Sequence, residues 1–170
     1  MNDAHLHMVV NHFPLIGPIL GLGILITGLI LKNNSVKNTA YVLFIVAAIF
    51  GAFSMGTGEG AEEIAEKLPS VTMQIIHEHE EYAEKLAILL YVLGVFSLLA
   101  LFLNFKKNSK EKLVSFFILG LGIVSLFLVQ KVGRSGGEVR HTEIRADFTP
   151  TGEAEQNEVG IEKKNKLDND

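Results

Sequence analysis

The chain contains no cysteine. Disulfides, thiolate metal sites and cysteine-ligated iron–sulfur clusters are thereby excluded. A phosphate-binding glycine loop, a nucleophile elbow and a His-Glu-x-x-His zinc motif are also missing, so no motif marks an enzyme by itself. The most informative absence is charge. Four blocks, Phe13–Leu31, Thr39–Gly56, Leu86–Leu103 and Leu113–Val129, hold no Asp, Glu, Lys or Arg.

Crossing a hydrocarbon core of roughly 30 Å takes about 20 helical residues. In lipid the backbone must pair within its own segment, so each block reads as a helix. A soluble bundle would carry charges along the outer face of every helix, and these blocks carry none. The predicted fold is all-α: an integral membrane four-helix bundle. Short hairpin loops join spans 1–2 and 3–4, and a polar helical link joins spans 2 and 3. Residues 1–146 make up this domain. Residues 147–170, with seven acidic residues and three lysines, read as a disordered acidic tail. No Lys or Arg precedes the first block and no small-residue cleavage site follows it, so it reads as a span rather than a signal peptide. Gly17 and Gly21, four apart, favour close packing of that span against a neighbour.

Four spans put both termini on one face, side A, with the 57–85 link. Side B holds "KNNSVKN" and "NFKKNSKEK", which carry Lys32, Lys37, Lys106, Lys107, Lys110 and Lys112 against Glu111. The first span has no basic residue on its N-terminal flank and two on the other. By the positive-inside rule, side B is cytoplasmic and both termini face outward. The net charge of −4 is shared among loops and tail. The partners expected are the lipid bilayer and a membrane-complex or redox protein, with no nucleic acid.

All six histidines, His5, His7, His12, His77, His79 and His141, fall on side A. In "IIHEHEEYAEKL" a 100° projection groups Ile75, Ile76, Tyr82, Ala83 and Leu86 on one face. His79 lies at the centre of that face, while His77, Glu80, Glu81 and Glu84 lie opposite. His79 is therefore expected to point inward, as a metal or haem ligand or as a buried histidine bonded to a neighbouring helix. In "TGEGAEEIAEKLPS", Glu62, Glu63 and Glu66 read as solvated. Glu59 is the candidate inward carboxylate, and Pro69 ends the element. His5 and His12, seven apart, share a face with Val9 and Ile16, and Pro14 is placed to start the span. After span 4, Gly133, Gly136 and Gly137 are expected to break the helix. Arg134 could then pair with a glutamate or hold an acidic group such as a propionate.

Four segments, "HLHMVVNHFP", "TGEGAEE", "HEHEEYA" and "GRSGGEVRH", stand in this order around the spans. With them the chain resembles the bacterial membrane family catalogued as domain of unknown function 2231, over residues 3–145. The resemblance implies a four-helix membrane domain of the bacterial cytoplasmic (inner) membrane and a site on side A. It carries over to His7, His12, Phe13 and Pro14, to Thr57, Gly58 and Glu59, to His77 and His79, and to Gly136 and Gly137. Family members often follow the late glycines with an aromatic residue. This chain has "EVRH" there, which leaves Arg140 and His141 outside the pattern. The resemblance implies no particular reaction.

The leading functional expectation is a site for haem b or a transition metal ion (Fe, Zn or Cu) at the outer surface, used for electron transfer. His12, His79 and Arg134 are the haem-binding candidates, and His12 must then lie close to His79. For a metal ion the candidates are His5, His7, His12, Glu59, His77, His79 and His141. The alternative is a cofactor-free structural or accessory subunit of a membrane complex. A histidine-based pH sensor or channel is weaker, because the spans lack a polar track.

Overall fold

The computed structural model describes residues 2–68 and 71–145. The acidic tail and Pro69, expected to end a helix, lie outside the described residues. Five α-helices follow one another: α1 Asp3–Val10, α2 His12–Ile30, α3 Asn34–Ala65, α4 Met73–Phe105 and α5 Glu111–Arg140. A 3₁₀ turn, Thr142–Ile144, follows α5. Among the described residues there is no strand. Asn11, between α1 and α2, keeps right-handed helical torsions (φ −71°, ψ −14°), so the two run on almost as one helix. Counting them together, four helices among the described residues are long and apolar enough to cross a membrane.

Each apolar block lies inside one of these helices, save Leu31, which caps α2, and the helices outrun the blocks on side A. α3 continues to Ala65, α4 begins at Met73 and α5 continues to Arg140. The glycines expected to break the last helix do not break it. Glycine inside a helix costs only about 1 kcal/mol relative to alanine. Gly136 instead gives room to a neighbour: a Cβ there would meet the His79 ring at 2.9 Å.

Chain neighbours pack antiparallel, α2 on α3, α3 on α4 and α4 on α5, and α5 closes the ring on α2. The buried residues form seams of alternating three- and four-residue steps. These are Pro14, Pro18, Gly21, Leu25 and Gly28 on α2, and Lys37, Ala40, Phe44, Ala47 and Gly51 on α3. On α4 they are Leu86, Leu90, Leu93, Ser97 and Ala100. On α5 they are Glu111, Ser115, Ile118, Gly122, Ser125, Val129 and Val132. This heptad spacing is the signature of left-handed, knobs-into-holes packing. Small residues recur along the seams and let the helices approach closely at those points. A Cβ on Gly17 would fall 2.8 Å from that of Ala47, and one on Gly28 would fall 2.8 Å from the Lys37 backbone nitrogen. Large aliphatic and aromatic residues also cover the outside: Ile19, Leu20, Ile49, Phe53, Ile88, Val95, Leu98, Phe116, Val124 and Phe127 are exposed, while Leu25, Phe44, Leu90, Leu93 and Ile118 fill the seams.

The two side-B turns are built alike. Lys32 and Lys107 adopt left-handed torsions (φ 50° and 51°) just past α2 and α4. Asn33 N–H then donates to Gly28 O at 3.0 Å, and Asn108 N–H to Leu103 O at 2.9 Å. These are Schellman closures with lysine where glycine is usual. Asn33 then caps α3, its Oδ1 accepting from the Ser35 and Val36 amides.

Candidate functional site

The side-A ends of the seams carry polar residues from each helix. His7 lies one heptad before Pro14 and so continues the α2 seam onto α1. Its Nδ1 is 3.1 Å from the Ser54 carbonyl and 3.1 Å from Thr57 Oγ1. A carbonyl can only accept, so His7 Nδ1 carries the proton. Thr57 spends its own hydroxyl proton on the Phe53 or Ser54 carbonyl and accepts from His7 as well. His79 continues the α4 seam. Its Nδ1 is 3.0 Å from Ser135 Oγ, which itself lies 3.2 Å from the Val132 carbonyl. With the serine proton directed to that carbonyl, His79 Nδ1 also donates.

Both imidazoles are thus held with Nδ1 protonated and the Nε2 lone pair free. Among the described residues neither Nε2 has a hydrogen-bond partner. Fixing one ring nitrogen in this way orients the other for ligation. Both residues lie outside the apolar blocks. Burial pushes the His7 and His79 imidazoles below the usual histidine range, and at His79 the neighbouring His7 adds to the effect.

The projection that turns His79 inward agrees with the structure. His12 does not join it. His12 is exposed, and its Nδ1 turns back to the Met8 carbonyl at 2.6 Å. The face it shares with Val9 and Ile16 is the outer one, those residues being 51% and 49% exposed. On this stretch of α1 and α2 the apolar face looks outward, so sharing it places a residue outside. The other half-buried histidine of the six is His7.

The other candidates are dispersed. Glu59 is exposed rather than inward, because it stands one residue past the seam position held by Gly58. His5 is exposed on α1. His77 is exposed and pairs with Glu80 at 3.4 Å, and His141 pairs with Glu143 at 2.9 Å beyond the end of α5. Arg134 donates through Nε to Glu138 on its own helix at 2.8 Å. Among the described residues no group of three or more His, Asp or Glu is arranged to hold a metal ion. Beside Ser135, between α4 and α5, lies an open cleft of about 240 Å³.

A second polar cluster lies at side B, where the sequence suggests only loop charges. Lys37 Nζ donates to both Glu111 carboxylate oxygens at 2.7 Å. The Tyr41 hydroxyl donates to Glu111 Oε1 at 2.8 Å, and Ser115 Oγ lies 2.8 Å from the same oxygen. Lys37 and Glu111 are only 6% and 7% exposed, and Tyr41 is fully buried. The pair links α3 to α5 across the diagonal of the ring. Its signal in the sequence is spacing: Lys37 precedes Phe44 by one heptad, and Glu111 precedes Ile118 by one.

Comparison with known proteins finds no matching family model, no matching curated protein and no matching solved structure.

Proposed function

We propose that the protein is an integral membrane protein of the bacterial cytoplasmic membrane that holds haem b or a transition metal ion at side A, with His7 and His79 as the ligands. One observation carries this reading. Two half-buried imidazoles from different helices are fixed through Nδ1 and present unpartnered Nε2 atoms. Two protein ligands without a third suit a group that brings its other ligands with it. Haem b needs only axial imidazoles, whereas structural zinc sites take four protein ligands and catalytic ones three. Haem is thus favoured over zinc. It would supply one-electron transfer, and the residues of this chain would hold the imidazole orientation and exclude water. Membership of the family of domain of unknown function 2231 is part of the same proposal.

The outward ring of aliphatic and aromatic side chains supports residence in a bilayer, because monomeric soluble proteins rarely expose contiguous apolar surface on this scale. Side B keeps five exposed lysines, Lys32, Lys106, Lys107, Lys110 and Lys112, after Lys37 is withdrawn into its ion pair. That supports a cytoplasmic side B and outward-facing termini.

The test is an absorption spectrum of the detergent-purified protein, oxidised and then dithionite-reduced, with metal analysis of the same sample. A Soret band and a sharpened α-band on reduction, lost in His7→Ala and in His79→Ala but kept in His12→Ala, are expected. Stoichiometric metal without those bands moves the assignment to a metal ion. If neither is found after growth with ample iron and zinc, the ligand reading fails. The histidines then serve to fasten α1 and α5 to the bundle, as in an accessory subunit.

A further inference from the structure

The cleft between α4 and α5 at side A is lined by Glu78, Tyr82, Lys131, Arg134, Ser135 and Glu138. Its cations are not equally engaged. Lys85, nearby on α4, is tied to Glu81 at 2.6 Å, and Arg134 uses Nε on Glu138. Lys131 has no carboxylate partner among the described residues. Its Nζ stands 5.7 Å from the centroid of the Tyr82 ring. The Arg134 Nη nitrogens likewise carry no hydrogen bond among the described residues. One ammonium and one guanidinium edge therefore line the same space with donors to spare, and Glu78, whose charge acts on Arg134, lines it as well.

We infer that this cleft binds a phosphate group, with Lys131 as the main cation, Arg134 as the second and Tyr82 as the aromatic wall. An ammonium gives a point charge and a guanidinium gives a directional fork, a pairing that suits a phosphodiester. The depth of the cleft argues for a phospholipid as the source. Lys131 follows within one turn of Val129, the last residue of the fourth apolar block, and tyrosine and lysine side chains gather at the headgroup level of bilayers. Glu78 then meets the headgroup amine, which selects phosphatidylethanolamine. The lipid source rests on the membrane reading above, whereas the phosphate site itself does not.

The full chain, delipidated in detergent, is to be titrated with phosphatidylethanolamine, phosphatidylcholine or diacylglycerol and followed by native mass spectrometry. Retention of one phosphatidylethanolamine per chain is expected, with weaker phosphatidylcholine and no diacylglycerol. Lys131→Gln is expected to weaken retention about fivefold, and Lys85→Gln to leave it unchanged. In parallel, inorganic phosphate alone is titrated and followed by phosphorus NMR, an arm that holds whether or not the chain resides in membranes. Saturable phosphate binding lost in Lys131→Gln, with lipid retention unaffected, keeps the phosphate site and assigns it to a free anion. If neither lipid nor inorganic phosphate responds to Lys131→Gln more than to Lys85→Gln, the inference is overturned.

Discussion

Replacing Lys37 with methionine keeps most of the side-chain volume and removes the ammonium that bridges both Glu111 oxygens. The carboxylate is then left at 7% exposure with only the Tyr41 and Ser115 hydroxyls nearby. Breaking a buried pair by removing one partner costs about 3–5 kcal/mol, because the surviving charge is uncompensated. Glu111→Gln keeps an acceptor for both hydroxyls but strands the ammonium, and a cost in the same range of about 3–5 kcal/mol is expected. The double variant has no buried charge left. It is expected to recover at least about 2 kcal/mol relative to the sum of the single changes. Unfolding in mixed detergent–SDS micelles, followed by circular dichroism, reads these differences directly. If Lys37→Met cost less than about 1 kcal/mol, the range of an exposed pair, and showed no coupling to Glu111→Gln, the reasoning would be refuted.

Four further outcomes follow from the same geometry. Gly133→Ala, whose Cβ would meet nothing within 4 Å, is expected to stabilise the protein by about 0.5–1 kcal/mol. Gly136→Ala, forced against the His79 ring, is expected to destabilise it by about 1–3 kcal/mol, and thermal melts of the pair test the contrast. Lys32→Gly and Lys107→Gly relieve left-handed torsions and should each gain up to about 1 kcal/mol in the same melts. His7 and His79 lie below the ordinary histidine value of 6.5 when folded, so the unfolded chain takes up protons first as pH falls. Stability of chelator-treated protein should therefore drop as pH falls below 6.5, until the folded-state values are passed. A double His7→Asn, His79→Asn variant should flatten that slope, and an unchanged slope would count against it. The lack of cysteine makes topology directly measurable. An impermeant maleimide added to intact cells should label Glu63→Cys and spare Ser109→Cys, and the reverse pattern would invert the orientation.

The four long helices were legible because their blocks lack charge, and the inward turn of His79 because the 75–86 stretch follows the soluble rule of apolar residues inside. The same rule misplaced His12. Around Phe13 the helix has crossed into the region where large apolar side chains face outward, so Val9 and Ile16 mark the outer face. The informative signal there was the three- and four-residue spacing of small residues from Pro14 to Gly28, which leads back to His7. The same spacing, followed from Phe44 and Ile118, reaches Lys37 and Glu111, but charges beside a turn are ordinarily solvated, which hides the pair. Gly136 matters for its missing Cβ rather than for backbone freedom. That His7 and His79 are the half-buried histidines depends on how helices far apart in the sequence pack, and no local pattern encodes it.

The diagonal ion pair bears on how the chain is put together. Its ammonium belongs to the first hairpin, α2–α3, and its carboxylate to the second, α4–α5. In a bilayer each hairpin, taken alone, holds one charge at its edge that water only partly reaches, and such a charge is costly until it finds its opposite. Two copies of the same hairpin bring like charges together, while the two different hairpins cancel them. In the proposed bilayer setting the pair would favour the joining of the two halves of one chain. Once they join, no charge is left in the seam to recruit a half from another molecule.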